Sequence, residues 1–359
     1  MSAVESVSVQ RGAKAGKRVG GAGLRMQAGL SLLLLLAFCI TFVALAAAAR
    51  FSPAIANHVA REEALQRLVD GIFLYDAGYI DDADYVLVDQ LQHDNHGGGG
   101  VYFIGSSQTR TAIMPWRLPA GEREVVHNYS IGDLRHGDLR FYIRTLVEEH
   151  GLLRAGGENV TLFLELSPAM ARPKDYATVS YVSHVFTRHR LYTYDAEHGI
   201  HRVRMSPIER FLRLQKIHVH RFLRILFGAP SRVKLFTPEQ QSPEPLRLGP
   251  DWRPAMMREV GELAAMLDYL HARNVHVRAI FPPSGSWIEA LPYEAAYREA
   301  VLPVLAARGV PVIDRSDLLP DYEFGDDWHP TYTGQVRLHE ADRALALAAL
   351  EQMGISPAR

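Results

Sequence analysis

The sequence predicts an α/β fold, a three-layer α/β/α sandwich around a mostly parallel five-stranded sheet. Short runs rich in β-branched and aromatic residues alternate with longer stretches that carry apolar residues at helical spacing. Glycine, serine or proline follows several of these short runs, as is typical of the turns that end buried strands. Apolar residues make up 48% of the 359 residues, which is enough to bury a substantial core.

Five segments are predicted as strands of this sheet: residues 101–104, 124–128, 160–166, 275–281 and 310–313. Helical patterns lie between or after them, at about residues 133–150, 254–273, 293–308 and beyond 333. Right-handed crossovers place helices on both faces of a parallel sheet, so we expect all the strand ends at one edge. Open α/β sheets bind their ligands at that edge.

The N-terminus is predicted as a targeting segment. Basic residues precede an uncharged, mostly apolar stretch over residues 26–49. As a helix of about 1.5 Å per residue, this stretch is long enough to cross a hydrocarbon core of about 30 Å. The apolar run also exceeds the roughly 7–15 residues of a signal-peptide core, which favours an uncleaved anchor. Small residues at 46–49 keep a cleavable signal peptide open as the alternative.

The predicted topology is a single pass through the inner (cytoplasmic) membrane. Residues 1–27 form a basic cytoplasmic N-terminus and residues 28–49 a transmembrane signal anchor. Because positive flanks stay in the cytoplasm, the rest of the chain is expected on the periplasmic or extracellular side. Residues 50–98 are predicted as a helical linker and residues 99–355 as the α/β domain.

A basic helical insertion interrupts the α/β domain at about residues 170–250. Within it, residues 206–228 predict an amphipathic helix with Ile208, Phe211 and Leu212 on its apolar face. This helix either lies on anionic headgroups or an anionic glycan, or caps the core of the domain with a solvated basic face.

Composition excludes several classes of function. The 39 basic and 40 acidic residues nearly cancel, so the chain has no charge signature for nucleic acid. Cys39 is the single cysteine, which excludes an intramolecular disulfide and a multi-cysteine metal site. The histidines His184, His189, His218 and His220 lie among arginines, which would repel a cation, so we expect neither a metal nor another cofactor.

Residues 101–110, VYFIGSSQTR, are the first candidate site because a buried strand runs into a glycine-serine turn and then a helix. Gly105 permits a tight turn, which lets a following serine stand at the carboxyl edge of the sheet. A helix N-terminus at that point favours a developing oxyanion. The alternative is that Ser106 and Ser107 merely cap the helix.

The second candidate lies in residues 324–335, FGDDWHPTYTGQ. Asp326 and His329 are three residues apart, so one turn of backbone can bring their side chains into contact. In a Ser-His-Asp system the histidine takes the serine proton, and the aspartate fixes its tautomer and stabilises the imidazolium. This loop follows the last strand and should lie at the same edge as Ser107. A purely structural histidine at a helix start is the alternative.

Together, Gly105-Ser106-Ser107 and Asp326-x-x-His329 resemble the first and last blocks of the SGNH or GDSL hydrolase superfamily. The resemblance implies that Ser107 is the nucleophile and that Ser106 takes the position of the family's aspartate. It implies His329 as the base and Asp326 as its partner. The fold that it implies is the flavodoxin-like sandwich of SGNH hydrolases.

Two further blocks concern the oxyanion. The stretch HNYSIGD resembles the family's second block, which implies an oxyanion N–H from Ser130 or from Gly132. At the third block the chain departs from the family, because Glu165-Leu166-Ser167-Pro168 stands where the family has Gly-x-Asn-Asp. The donating asparagine is absent, and Ser167 is the substitute that the resemblance suggests.

The anchor, the Gly-Ser-Ser block and the paired prolines after the fourth strand are similar to the membrane-anchored branch of the superfamily. This branch includes D-alanine transfer (DltD) and alginate O-acetylation (AlgJ/AlgX-like) proteins, which work beside a membrane-bound O-acyltransferase on cell-envelope polymers. The resemblance therefore implies an acyltransferase or esterase that acts on an envelope polysaccharide, with such an acyltransferase as partner. A plain periplasmic esterase remains open, as does a non-catalytic scaffold that binds a glycan or the acyltransferase.

Overall fold

The computed structural model describes residues 21–51, 72–73, 87, 90–91, 99–172, 185–187, 190–195, 199–227, 234–235 and 251–357. Its strands, in chain order, are β1 (Ile72–Phe73), β2 (Gly100–Ile104), β3 (Val126–Asn128), β4 (Val160–Glu165), β5 (Tyr192–Asp195), β6 (Gly199–Arg202), β7 (Lys234–Leu235), β8 (His276–Phe281) and β9 (Val312–Asp314). A central five-stranded sheet has the order β3-β2-β4-β8-β9, and every pair in it is parallel. The pairs β1-β7 and β5-β6 are antiparallel and separate from it.

The α-helices of the described residues are α1 (Gly21–Phe51), α2 (Ser107–Ala112), α3 (Ala120–Arg123), α4 (His136–Arg144), α5 (Pro207–Phe227), α6 (Trp252–His271), α7 (Ser286–Glu289), α8 (Pro292–Ala306) and α9 (Tyr332–Gln352). A π-helical turn, Thr145–Glu149, extends α4. Short 3-10 turns occupy Pro115–Arg117, Gly157–Asn159, Pro168–Ala171, Ser316–Leu318 and Asp321–Glu323.

The two faces of the sheet bury two separate apolar clusters, as a three-layer sandwich requires. Along β2, Tyr102 and Ile104 pack with residues of α4, α6 and α8, whereas Val101 and Phe103 pack with residues of α9. All four side chains are fully buried, which explains why this strand is apolar at every position rather than at alternate ones. The predicted α/β class and its mostly parallel five-stranded sheet are therefore confirmed.

The last strand begins later than the sequence predicts. Residues 310–313 are predicted as strand, but β9 begins at Val312. The N–H of Val310 donates to the carbonyl of Leu305 at 3.0 Å, which places Val310 in the turn that ends α8. Because all five strands are parallel, their carboxyl ends meet at one edge, as expected.

The N-terminal helix α1 covers the segment predicted as an anchor and packs against α5. Within the described part of the chain, no helix combines the length and the apolar character that crossing a bilayer requires. The anchor and the domain boundaries therefore stay predictions. Most of the predicted linker, residues 50–98, lies outside the described residues.

Helix α5 presents only part of its apolar surface to the core. Ile217 is buried, and Leu214 packs against the same cluster as α4 and α6. Ile208, Phe211 and Leu212, which the sequence places on the apolar face, are instead exposed by 73%, 45% and 40%. Capping of the core therefore accounts for the middle of the helix and not for its first turns.

Candidate active site at the carboxyl edge of the sheet

The two adjacent serines after β2 have different positions. Ser106 is buried and has extended backbone angles, φ −83° and ψ −161°, and its hydroxyl accepts a hydrogen bond from the N–H of Gln108 at 3.3 Å. Ser106 is therefore the N-cap of α2. Ser107 is the first residue of the helix and is half-buried, so its hydroxyl lies at the helix N-terminus. The capping alternative applies to Ser106 and not to Ser107.

Ser107, His329 and Asp326 form a continuous chain of hydrogen bonds. The Oγ of Ser107 lies 2.7 Å from Nε2 of His329. The other ring nitrogen, Nδ1, lies 2.8 Å from Oδ2 and 2.9 Å from Oδ1 of Asp326. The Nδ1 contact with a carboxylate places the ring proton on Nδ1, which leaves Nε2 able to accept the serine proton.

The carboxylate of Asp326 is held in its charged form. Burial alone raises the pKa of Asp326, but attraction to the imidazolium form of His329 and several hydrogen bonds outweigh that effect and hold the pKa below its usual range. Its Oδ1 accepts from the backbone N–H groups of Trp328 at 2.8 Å and His329 at 2.7 Å. The carboxylate therefore organises the backbone of its own loop as well as the imidazole.

The loop that carries the acid and the base is closed at its ends. Phe324 and Pro330 form an isolated antiparallel bridge, and the N–H of Gly325 donates to the carbonyl of His329 at 2.7 Å. Thr331 then caps α9 by accepting from the N–H of Gly334. These contacts fix where the loop enters and leaves the site.

A buried carboxylate from β4 holds the turn before Ser107. Glu165 is 1% exposed, and its Oε2 accepts from the N–H groups of Ser106 at 2.8 Å and Thr109 at 3.1 Å. Its Oε1 accepts from the Ser106 hydroxyl at 2.5 Å. A Cβ at position 105 would stand 2.5 Å from the Glu165 side chain, so only Gly105 permits this close approach. Glu165 is a site residue that the motif comparison missed.

Replacing Glu165 with alanine is expected to destabilise the fold and to misplace Ser107. Three buried donors would lose their acceptor, which costs on the order of 3 kcal/mol of unfolding free energy. We expect the catalytic rate to fall by about 100-fold as well, because small displacements of a reacting group have effects of that size. Urea unfolding and initial rates measure the two effects.

Glu165→Gln is the matched control for this change. Its amide oxygen can still accept from the two backbone N–H groups, and its amide nitrogen can donate to the Ser106 hydroxyl. This variant should keep most of the stability and activity. Equal losses in Glu165→Gln and Glu165→Ala would contradict the role of Glu165 as an acceptor.

Of the two residues expected to supply an oxyanion donor, Gly132 fits better than Ser130. The N–H of Ser130 donates to Oδ1 of Asn128 at 3.1 Å, and the amide nitrogen of Asn128 donates to the carbonyls that end α2. The N–H of Gly132 makes no hydrogen bond within the described part of the chain. A Cβ at Gly132 would lie 3.4 Å from the guanidinium of Arg110, so this arginine lines the same loop.

The loop after Gly132 has a strained backbone. Asp133 has a positive φ of 53°, which residues other than glycine rarely adopt. Its carboxylate accepts from Nη2 of Arg172 at 2.8 Å, which ties the loop after β3 to the segment after β4. Strain of this kind is typical of functional sites.

Ser167 does not take the position of an oxyanion donor. Its side chain is fully buried, and its Oγ has no hydrogen-bond partner among the described residues. Because a donor to a substrate must reach the surface of the site, the substitution suggested for the missing asparagine disagrees with the structure. Ser167 instead precedes the turn Pro168–Ala171, accepting from the N–H of Met170 through its carbonyl.

No family model and no curated protein matches the chain. A solved structure of the protein YxiM from Bacillus subtilis aligns with a TM-score of 0.31 and 11% identity, over 73% of this chain and 58% of that one. The described residues hold no group of three or more His, Cys, Asp or Glu side chains that could bind a metal ion.

Proposed function

We propose that the protein is a serine-dependent acyltransferase or esterase of the SGNH type. The observation that carries the proposal is the hydrogen-bonded chain from Ser107 through His329 to Asp326 at the carboxyl edge of the sheet. A hydroxyl, an imidazole and a carboxylate in this order are the groups that nucleophilic acyl transfer needs. The half-buried position of Ser107 at a helix N-terminus supports the same chemistry.

In the first half of the reaction, Ser107 Oγ attacks the carbonyl carbon of an ester donor while Nε2 of His329 takes the hydroxyl proton. The N–H groups of Ser107 and Gly132 stabilise the negative oxygen of the tetrahedral intermediate. When the intermediate collapses, His329 returns the proton to the leaving alcohol. The acyl group is then bonded to Ser107.

In the second half, His329 takes a proton from the hydroxyl of an acceptor, and the acceptor oxygen attacks the acyl-enzyme. The ester to Ser107 breaks, and His329 returns the proton to Ser107. A sugar hydroxyl as acceptor makes the protein a transferase, and water makes it a hydrolase. Losing one oxyanion donor can cost about 10²–10³ in rate, so the absent asparagine predicts a slower enzyme or one that its partner completes.

The biological setting in this proposal comes from the sequence. We propose an envelope polysaccharide as acceptor, a membrane-bound O-acyltransferase as partner, and an inner-membrane anchor with the α/β domain on the periplasmic side. The basic, then apolar N-terminal segment and the resemblance to membrane-anchored SGNH proteins support this setting.

Trapping of the acyl-enzyme tests the proposal. The full chain in detergent is mixed with p-nitrophenyl acetate, quenched in acid at early times and digested for mass spectrometry. We expect acetyl on the Ser107 peptide of the wild type and none in His329→Ala. A folded wild type that never carries acetyl at Ser107 would contradict the proposal and favour a non-catalytic scaffold. Adding an envelope oligosaccharide then separates acetyl transfer from hydrolysis.

A further inference from the structure

The side chain of Gln108, directly after Ser107, reaches across the site to the loop of His329. Gln108 is 7% exposed. Its Nε2 donates to the carbonyl of Trp328 at 2.9 Å and lies 3.4 Å from the carbonyl of Pro283, which follows β8. One amide therefore touches both the segment after β8 and the loop of His329.

The orientation of this amide follows from its neighbours. Both contacts at the nitrogen end are carbonyl oxygens, which can only accept hydrogen bonds, so the nitrogen must face them. The oxygen end, Oε1, is buried and has no hydrogen-bond partner among the described residues. An unpaired buried oxygen costs free energy, so burying this amide is favourable only through its donor end.

The hydrogen bond from Gln108 is one of two that hold the peptide group between Trp328 and His329. Between Trp328 and His329, the carbonyl accepts from Gln108 and the N–H donates to Asp326 at 2.7 Å. Both polar ends of this peptide group are therefore fixed, and the Cα of His329 is directly attached to it. Ser107 contacts His329, and Gln108 contacts Trp328. Two adjacent residues of α2 are therefore joined to two adjacent residues of the loop.

We propose that Gln108 is a positioning residue that holds the imidazole of His329 at hydrogen-bond distance from Ser107. This inference rests on the proposed function. Removing the donor lets the Trp328–His329 peptide group rotate, which lengthens the contact between His329 and Ser107. Displacements of about 1 Å can cost on the order of 100-fold in rate, so we expect a loss of about 10- to 100-fold.

Two variants test the donor. Gln108→Leu removes it with little change in volume, and Gln108→Met removes it with an unbranched side chain of similar length. The readout is the second-order rate constant for reaction of Ser107 with a fluorophosphonate in the full chain, together with the thermal unfolding midpoint. Asn159→Asp is the matched control, because Asn159 donates to the Ala155 carbonyl at 2.8 Å beside the start of β4, at the opposite edge of the sheet.

We expect both Gln108 variants to lose 10- to 100-fold in rate with nearly unchanged midpoints, and Asn159→Asp to stay within about twofold of the wild type. In a His329→Ala background, Gln108→Leu should lower the residual rate less than twofold, because the residue that it positions is gone. Equal fold losses in both backgrounds, or no loss in the wild-type background, would overturn the inference alone. A folded wild type that does not react would overturn the proposed function and this inference together.

Discussion

Ser107→Ala is expected to abolish acyl transfer, with a fall in kcat of at least about 10⁴-fold. The Ser107 hydroxyl is the one that contacts Nε2 of His329, at 2.7 Å, and alanine leaves nothing for the acyl group to bond to. The fold should be unaffected, because Ser107 is half-buried and the N-cap of α2 is Ser106. Initial rates with p-nitrophenyl acetate measure the loss of activity, and the thermal unfolding midpoint tests whether the fold is unaffected.

Ser106→Ala is the matched control, one residue away. The Ser106 hydroxyl donates to Glu165 and accepts from the N–H of Gln108, so its loss should cost about 1–2 kcal/mol of unfolding free energy. Activity should fall by much less than in Ser107→Ala. The reverse pattern, with full loss in Ser106→Ala and activity retained in Ser107→Ala, would show that the nucleophile is misassigned.

Asp326→Asn is expected to lower kcat by about 10³- to 10⁴-fold while leaving the loop folded. The asparagine oxygen can still accept from the N–H groups of Trp328 and His329, so the backbone stays in place. Its amide nitrogen would then face Nδ1 of His329 as a donor. The imidazole proton would move to Nε2, which could no longer accept the proton of Ser107.

Asp327→Asn is the control for the loss of one negative charge in the same loop. The backbone carbonyl of Asp327 accepts from Nε1 of Trp287 at 3.1 Å. The substitution leaves that carbonyl and the Asp326–His329 contact in place, so kcat should stay within about threefold of the wild type. Similar losses in Asp326→Asn and Asp327→Asn would mean that loop charge, and not the tautomer of His329, limits the reaction.

The parts of the site that the sequence predicts are those set by local rules. The apolar run of β2 followed by Gly105 predicts a strand and a tight turn, because such a strand is buried on both faces. The three-residue spacing of Asp326 and His329 lets one short loop bring them together, and the structure places them in contact. Parallel strands then bring this loop and Ser107 to the same edge.

The parts that sequence analysis missed depend on distant contacts. Glu165 acts on a turn 59 residues earlier, and Gln108 reaches a carbonyl 220 residues later. Glu165 did leave a signal, since it is the only charged residue of a buried, mostly apolar strand. Gln108 left none, because a glutamine in a first helical turn is ordinary. The buried hydroxyl of Ser167 likewise depends on how the segment after β4 packs.

Covalent labelling by a fluorophosphonate tests the central claim most directly, because this probe bonds rapidly to a serine whose proton a neighbouring base removes. The measurement is mass mapping of the phosphonylated residue in the full chain, for the wild type, Ser107→Ala and His329→Ala. We expect one phosphonyl group on the wild type, at Ser107, none on Ser107→Ala, and labelling of His329→Ala that is slower by at least about 10³-fold. A folded wild type without the label, or with the label at another serine, would contradict it.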